Sequence, residues 1–170
     1  MVFNQSFVPS NLITAHIRWG DKGLEMQLVA VDEYVAAVKT LLMRRVNQTD
    51  EVNVYVSTED PKATAAFRSA CPPTWNVYGD YMVEEAAEFR PDSGNNALVA
   101  AVASHGMEGT QALASLVIAM EANDFVLTTG SNWSRLMNEL RTNVIDPLCG
   151  NCTSFIDLRT DPEDDLLFYN

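Results

Sequence analysis

His16 and Arg18 stand one residue apart at the end of an apolar run, and both carry nitrogens suited to a polar or anionic ligand. A guanidinium grips a diphosphate through two parallel hydrogen bonds and stabilises charge developing on a leaving nucleotide. An imidazole hydrogen-bonds a base edge or a hydroxyl. If extended geometry continues as far as Arg18, the period of two turns both side chains toward one pocket. Taken alone, the two residues fit a surface cation and a satisfied core histidine equally well. Asp21, Lys22 and Glu25 follow within one loop. Such a cluster can deprotonate an acceptor hydroxyl, with Lys22 tuning the carboxylate, and it also fits ordinary loop charge. Glu59 and Asp60 either bind sugar hydroxyls or favour the start of the next helix, and the helix-start reading is the stronger. Ser131 and Asn132 are donor contacts or simply turn formers.

These residues must be positioned by the elements between them. Leu12, Ile13, Ala15 and Ile17 make a buried strand that opens into a loop at Trp19 to Gly23. Apolar residues at Val31, Tyr34, Val35, Val38, Leu41 and Leu42 predict an amphipathic helix over 31–46, acidic in its first turn and basic in its last. A strand is expected over 52–56, a helix over 62–70 after Pro61, and a third strand over 75–78. Beyond a stretch dominated by the loop at 90–96, an apolar helix is expected over 110–122. A short strand over 125–127, a turn of Thr, Gly and Ser, and a helix over 133–140 complete the pattern. Strand and helix alternate, so the fold class is α/β, a Rossmann-like parallel sheet with flanking helices. Ligands of such sheets sit beyond the carboxyl ends of the strands. A strand, a small polar turn and a helix start also offer backbone N–H groups to a phosphate. The expected organisation is a lead-in over 1–10, one domain over 11–153 and an acidic tail over 154–170.

The bulk properties narrow the partners. A chain of 170 residues with 47% hydrophobic content can bury one sizeable core. Its net charge of -12, from 11 basic and 23 acidic residues, disfavours nucleic acid. It leaves room for a small anion held by one or two arginines. No run reaches the ~18 to 20 apolar residues of a membrane helix, and Met1 to Leu12 is not expected to act as a secretion signal. Asn4, Asn47, Asn132 and Asn151 head sequons that would be usable in a secretory compartment. Of Cys71, Cys149 and Cys152, the C-x-x-C pair is a disulfide or two thiols, and no metal is expected because a second half-site is missing.

The ordered set His16, Arg18, Asp21, Lys22, Glu25, Asp32-Glu33-Tyr34, Thr58-Glu59-Asp60-Pro61, Asp124-Phe125 and Ser131 through Arg135 resembles the catalytic region of α-1,6-fucosyltransferases and their relatives. The resemblance spans Ile13 to Leu140. It implies one half of a GT-B-like glycosyltransferase, GDP-fucose as donor, an inverting transfer to a glycan or glycoprotein hydroxyl, and no cofactor or required metal. It implies that His16 reads guanine, Arg18 binds the β-phosphate and Glu25 is the base, supported by Asp21 and Lys22. Tyr34, Glu59, Asp60 and Ser131 become further donor contacts. Eukaryotic members of the family act in the Golgi lumen, which is the localisation implied.

The sequence departs from the family pattern in three places. Trp19 stands where the family has a second arginine, the Lys22-to-Glu25 spacing is one residue shorter, and a family aspartate falls within Leu116 to Ile118. In the family the acceptor is held largely outside the matched region. The expectation is therefore a donor-binding half, active or reduced to a non-catalytic nucleotide-sugar-binding module of the same fold.

Overall fold

The computed structural model describes residues 8–19, 28–45, 51–79 and 106–158. Five strands form one all-parallel sheet: β1 (Leu12–His16), β2 (Val52–Ser57), β3 (Trp75–Gly79), β4 (Asp124–Leu127) and β5 (Ser154–Asp157). Their order is β3-β2-β1-β4-β5. The helices are α1 (Val31–Arg44), α2 (Pro61–Ala70), α3 (Met107–Ala119) and α4 (Asn132–Leu140), followed by a π turn at Arg141–Ile145 and a short α5 (Asp146–Cys149). The expected α/β parallel sheet with flanking helices is thus present.

Strand alternation divides the core into two layers. Ile13, Ala15, Val54, Val56 and Val126 face Tyr34, Val35, Val38 and Leu41 of α1 and Ala63 and Phe67 of α2. Leu12, Tyr55, Phe125 and Leu127 face Leu116 and Ala119 of α3 and Met137 of α4. Each large side chain buried this way contributes about 1.5 to 3 kcal/mol relative to exposure. The helices start where side chains satisfy their first amides. Asp60 Oδ1 accepts from the Lys62 amide at 2.9 Å with Pro61 in the first turn of α2, and Glu33 Oε1 accepts from the Ala30 amide at 3.3 Å before α1.

Two expectations change. Helix α3 begins at Met107 and ends at Ala119, a few residues earlier than its apolar run suggests, because Gly106 at φ +82 supplies the left-handed entry. Ser154–Asp157 is a sheet strand paired with β4, so the ordered fold runs past residue 153, where the acidic tail was expected to begin. The loop at 90–96 and the acidic run at 161–165 lie outside the described residues. Among the described residues, no helix is long and apolar enough to cross a membrane.

Candidate functional site

Chain direction reverses about β1: from it the chain moves outward through β2 and β3, then returns to place β4 on the other side. In open parallel sheets this switch point opens a crevice at the carboxyl ends of the two diverging strands. Here those ends are His16 of β1 and Leu127 of β4.

His16 faces the α3/α4 layer, 2% exposed, and its Nδ1 lies 2.7 Å from Ser134 Oγ in the first turn of α4. Ser134 Oγ also accepts the Thr128 amide at 3.1 Å. The hydroxyl keeps both its proton and a second lone pair for Nδ1, so either tautomer of His16 satisfies this bond. Among the described residues Nε2 has no hydrogen-bond partner. Burial, reinforced by the Arg18 charge, lowers the imidazole to about 3, so the ring is neutral at physiological pH.

Thr128 is gripped from both layers. Its Oγ1 lies 2.6 Å from Tyr34 Oη on α1, and that phenol also meets the backbone of Arg18. Burial outweighs these two bonds and raises the Tyr34 hydroxyl to about 12. The next residue is held from β5: the Thr129 amide donates to Asp157 Oδ1 at 3.0 Å, and Thr129 Oγ1 donates to Asp157 Oδ2.

Counting amides shows which of those at the turn and helix start are left to offer a phosphate. Those of Thr128, Thr129 and Ser131 are consumed by Ser134, Asp157 and the Thr128 carbonyl. Among the described residues, the amides of Gly130, Asn132, Trp133 and Ser134 have no partner. These are the donors a helix start offers an anion. Ser131 is the N-cap residue, 3% exposed, yet its hydroxyl makes no cap bond and has no partner among the described residues.

Arg18 does not follow His16. Strand geometry ends at His16, and the Arg18 guanidinium turns toward β2, where Nη1 donates to Glu59 Oε2 at 2.8 Å. Thr58 ties the same strand ends together by donating to the Ile17 carbonyl at 2.7 Å. Glu59 is therefore engaged with Arg18, and Asp60 with the start of α2. The structure brings His16, Tyr34 and Ser131 to the carboxyl-end side of the β1/β4 switch point, all buried, and sets Arg18, Glu59 and Asp60 at the end of β2 beside it. Asp21, Lys22 and Glu25 lie outside the described residues, as do Asn4 and Asn47. Trp19, in the place of the second arginine, donates its indole N–H to the Val29 carbonyl at 3.0 Å and packs against the α1/α2 layer.

Sequence reasoning missed Asp157, included Ser134 only as part of the Ser131–Arg135 stretch with no role of its own, and saw Thr128 only as a turn former. The contacts of Ser134 with His16 and of Tyr34 with Thr128 span 118 and 94 residues, so no local spacing announces them. Asp124, part of the resemblance, lies at the opposite end of the sheet, where Arg45 Nε donates to it at 2.7 Å. At that end too, Cys149 and Cys152 form a disulfide, with Asn123 nearby. Asp146, Cys149 and Cys152 offer potential metal-ligand atoms within 4.8 Å of one another. Both sulfurs are bonded to each other, however, and both Asp146 oxygens are taken by Arg141 and Thr153.

Fold and site together define an α/β parallel-sheet domain with a buried polar cluster at its switch point. No protein-family model matches the chain, and no curated protein matches it.

Proposed function

We propose that this chain is the donor-binding part of an inverting fucosyltransferase that moves fucose from GDP-fucose to a glycan or glycoprotein hydroxyl. The observation that carries the reading is the placement of the α4 amides, the Ser131 hydroxyl and the His16 ring at the β1/β4 switch point, where such sheets bind ligands, with Arg18 on the flank. The ordered resemblance supplies the substrate. In this reading the α4 start and Arg18 share the diphosphate, and Nε2 of His16 is the ring nitrogen left for the nucleoside. By the resemblance Glu25 acts as base, supported by Asp21 and Lys22, and a secretory compartment suits the Cys149–Cys152 disulfide.

A second reading, a nucleotide-sugar-binding module without turnover, is favoured by Trp19. Its indole is committed to Val29 and supplies no second cation. Calorimetric titration with GDP tests donor binding: saturable binding that is lost in Arg18→Ala supports both readings, and a folded chain that binds no GDP rejects both. Glu25→Gln then divides them. It abolishes transfer and spares GDP binding in the enzyme, because a base serves transfer alone.

A further inference from the structure

We propose that Asp157 is a positioning residue for this crevice: it sets the β4-to-α4 turn so that the free amides of α4 and the Ser131 hydroxyl face a bound diphosphate. The proposal rests on the donor-site reading above, and it gives β5 a part in that site.

The geometry is specific. Asp157 closes β5 and is paired in register with Leu127, the last residue of β4. One residue later the Leu158 amide donates to the Leu127 carbonyl at 2.7 Å, which fixes the end of β5 against the start of the turn. From there each carboxylate oxygen takes one donor of Thr129, the amide at 3.0 Å and the hydroxyl. A two-point grip of this kind fixes orientation as well as distance, and bonds to an ionised acceptor are the stronger class. The preceding residue is held separately, its amide by Ser134 and its hydroxyl by Tyr34. With Thr128 and Thr129 both anchored, the Ser131 amide closes back onto the Thr128 carbonyl at 2.9 Å, and α4 starts in one place. Asp157 draws one amide out of the crevice and thereby determines where the remaining ones point.

A carboxylate near an anion site also repels the anion, and this separates a positional role from an electrostatic one. Asparagine at 157 keeps a carbonyl oxygen for the Thr129 amide and an N–H for its hydroxyl, and it removes the charge. Asp157→Asn is therefore expected to bind GDP at least as tightly as wild type, whereas Asp157→Ala weakens GDP binding by roughly tenfold. Amide hydrogen exchange on the GDP-free proteins gives the second readout. Asp157→Ala should speed exchange across 128–134 and leave β1 and β2 unchanged, while Asp157→Asn leaves both as in wild type. Unaltered exchange at 128–134 in Asp157→Ala overturns the proposal. So does uniform acceleration through the sheet, which marks general support of the fold, or an asparagine variant as impaired as the alanine one. If wild type binds no GDP, the donor reading fails by itself, and the exchange experiment still decides whether Asp157 sets the turn.

Discussion

Nδ1 of His16 and Oγ of Ser134 meet at 2.7 Å across the β1/β4 crevice, joining residues 118 positions apart through one buried hydrogen bond. The contact makes the imidazole part of the sheet's polar wiring and leaves a single ring nitrogen for anything that enters.

His16 gives the fold an acid limit. Its folded value of about 3 lies below the ordinary 6.5, so between these values the unfolded chain binds the extra proton. Stability is therefore retained above about 6.5 and falls as pH drops toward 3, with a slope of up to about 1.4 kcal/mol per pH unit from this group. Urea denaturation at stepped pH should show that slope, and His16→Gln should flatten it. An unchanged slope in the variant would place the acid sensitivity elsewhere.

Ser134→Ala removes the atom that serves both His16 Nδ1 and the Thr128 amide, leaving two buried polar groups unpaired. The expected cost is about 2 to 4 kcal/mol, read as a lower urea midpoint at constant m. A loss under about 1 kcal/mol would mean that both groups find other partners.

Glu59→Gln should separate competition from support. The carboxylate is 68% exposed, so its bond to Arg18 contributes no more than about 1 kcal/mol to the fold and the melting temperature should hardly move. As it occupies the guanidinium that the donor reading assigns to phosphate, its neutralisation should tighten GDP binding by up to about fivefold. Weaker binding would instead make Glu59 an orienting partner of Arg18 or a direct donor contact.

Asp124 and Arg45 test the other end of the sheet. Asp124 is 6% exposed and paired with Arg45, so Asp124→Ala removes the counter-ion of a half-buried guanidinium, which keeps only its bond to the Asn11 carbonyl among the described residues, and should cost about 3 kcal/mol. GDP affinity of the folded variant should match wild type, because the pair lies at the amino end of β4. A large loss of affinity at unchanged stability would contradict that separation.

The fold was legible in the sequence where burial leaves a periodic trace. Val54, Val56 and Tyr55 advertise a central strand, and Tyr34, Val38 and Leu41 advertise one face of α1. Ser154–Asp157 leaves little trace: four residues with Phe155 and Ile156 adjacent do not distinguish an edge strand from a tail. The site was half legible. His16, Arg18 and Ser131 stand out through side-chain chemistry at strand or helix ends. The direction of Arg18 was not, because the alternation that aligns it with His16 stops when β1 stops. Ser134 and Asp157 become meaningful only once β4 lies between α4 and β5, a fact of topology that no local window contains.

That topology also orders events during synthesis. β1, β2 and β3 are contiguous neighbours within the first half of the chain and can pair while the remainder is still being made, whereas the contacts of β1 with β4 bridge more than 100 residues. One wall of the crevice therefore precedes the other, and the clamp on Thr129 arrives later still, with Asp157. A nascent chain that has emerged only through β3 carries His16 and Arg18 without the α4 amides or Ser131 opposite them. Ligand binding at this crevice would accordingly distinguish the finished domain from every shorter intermediate on the way to it.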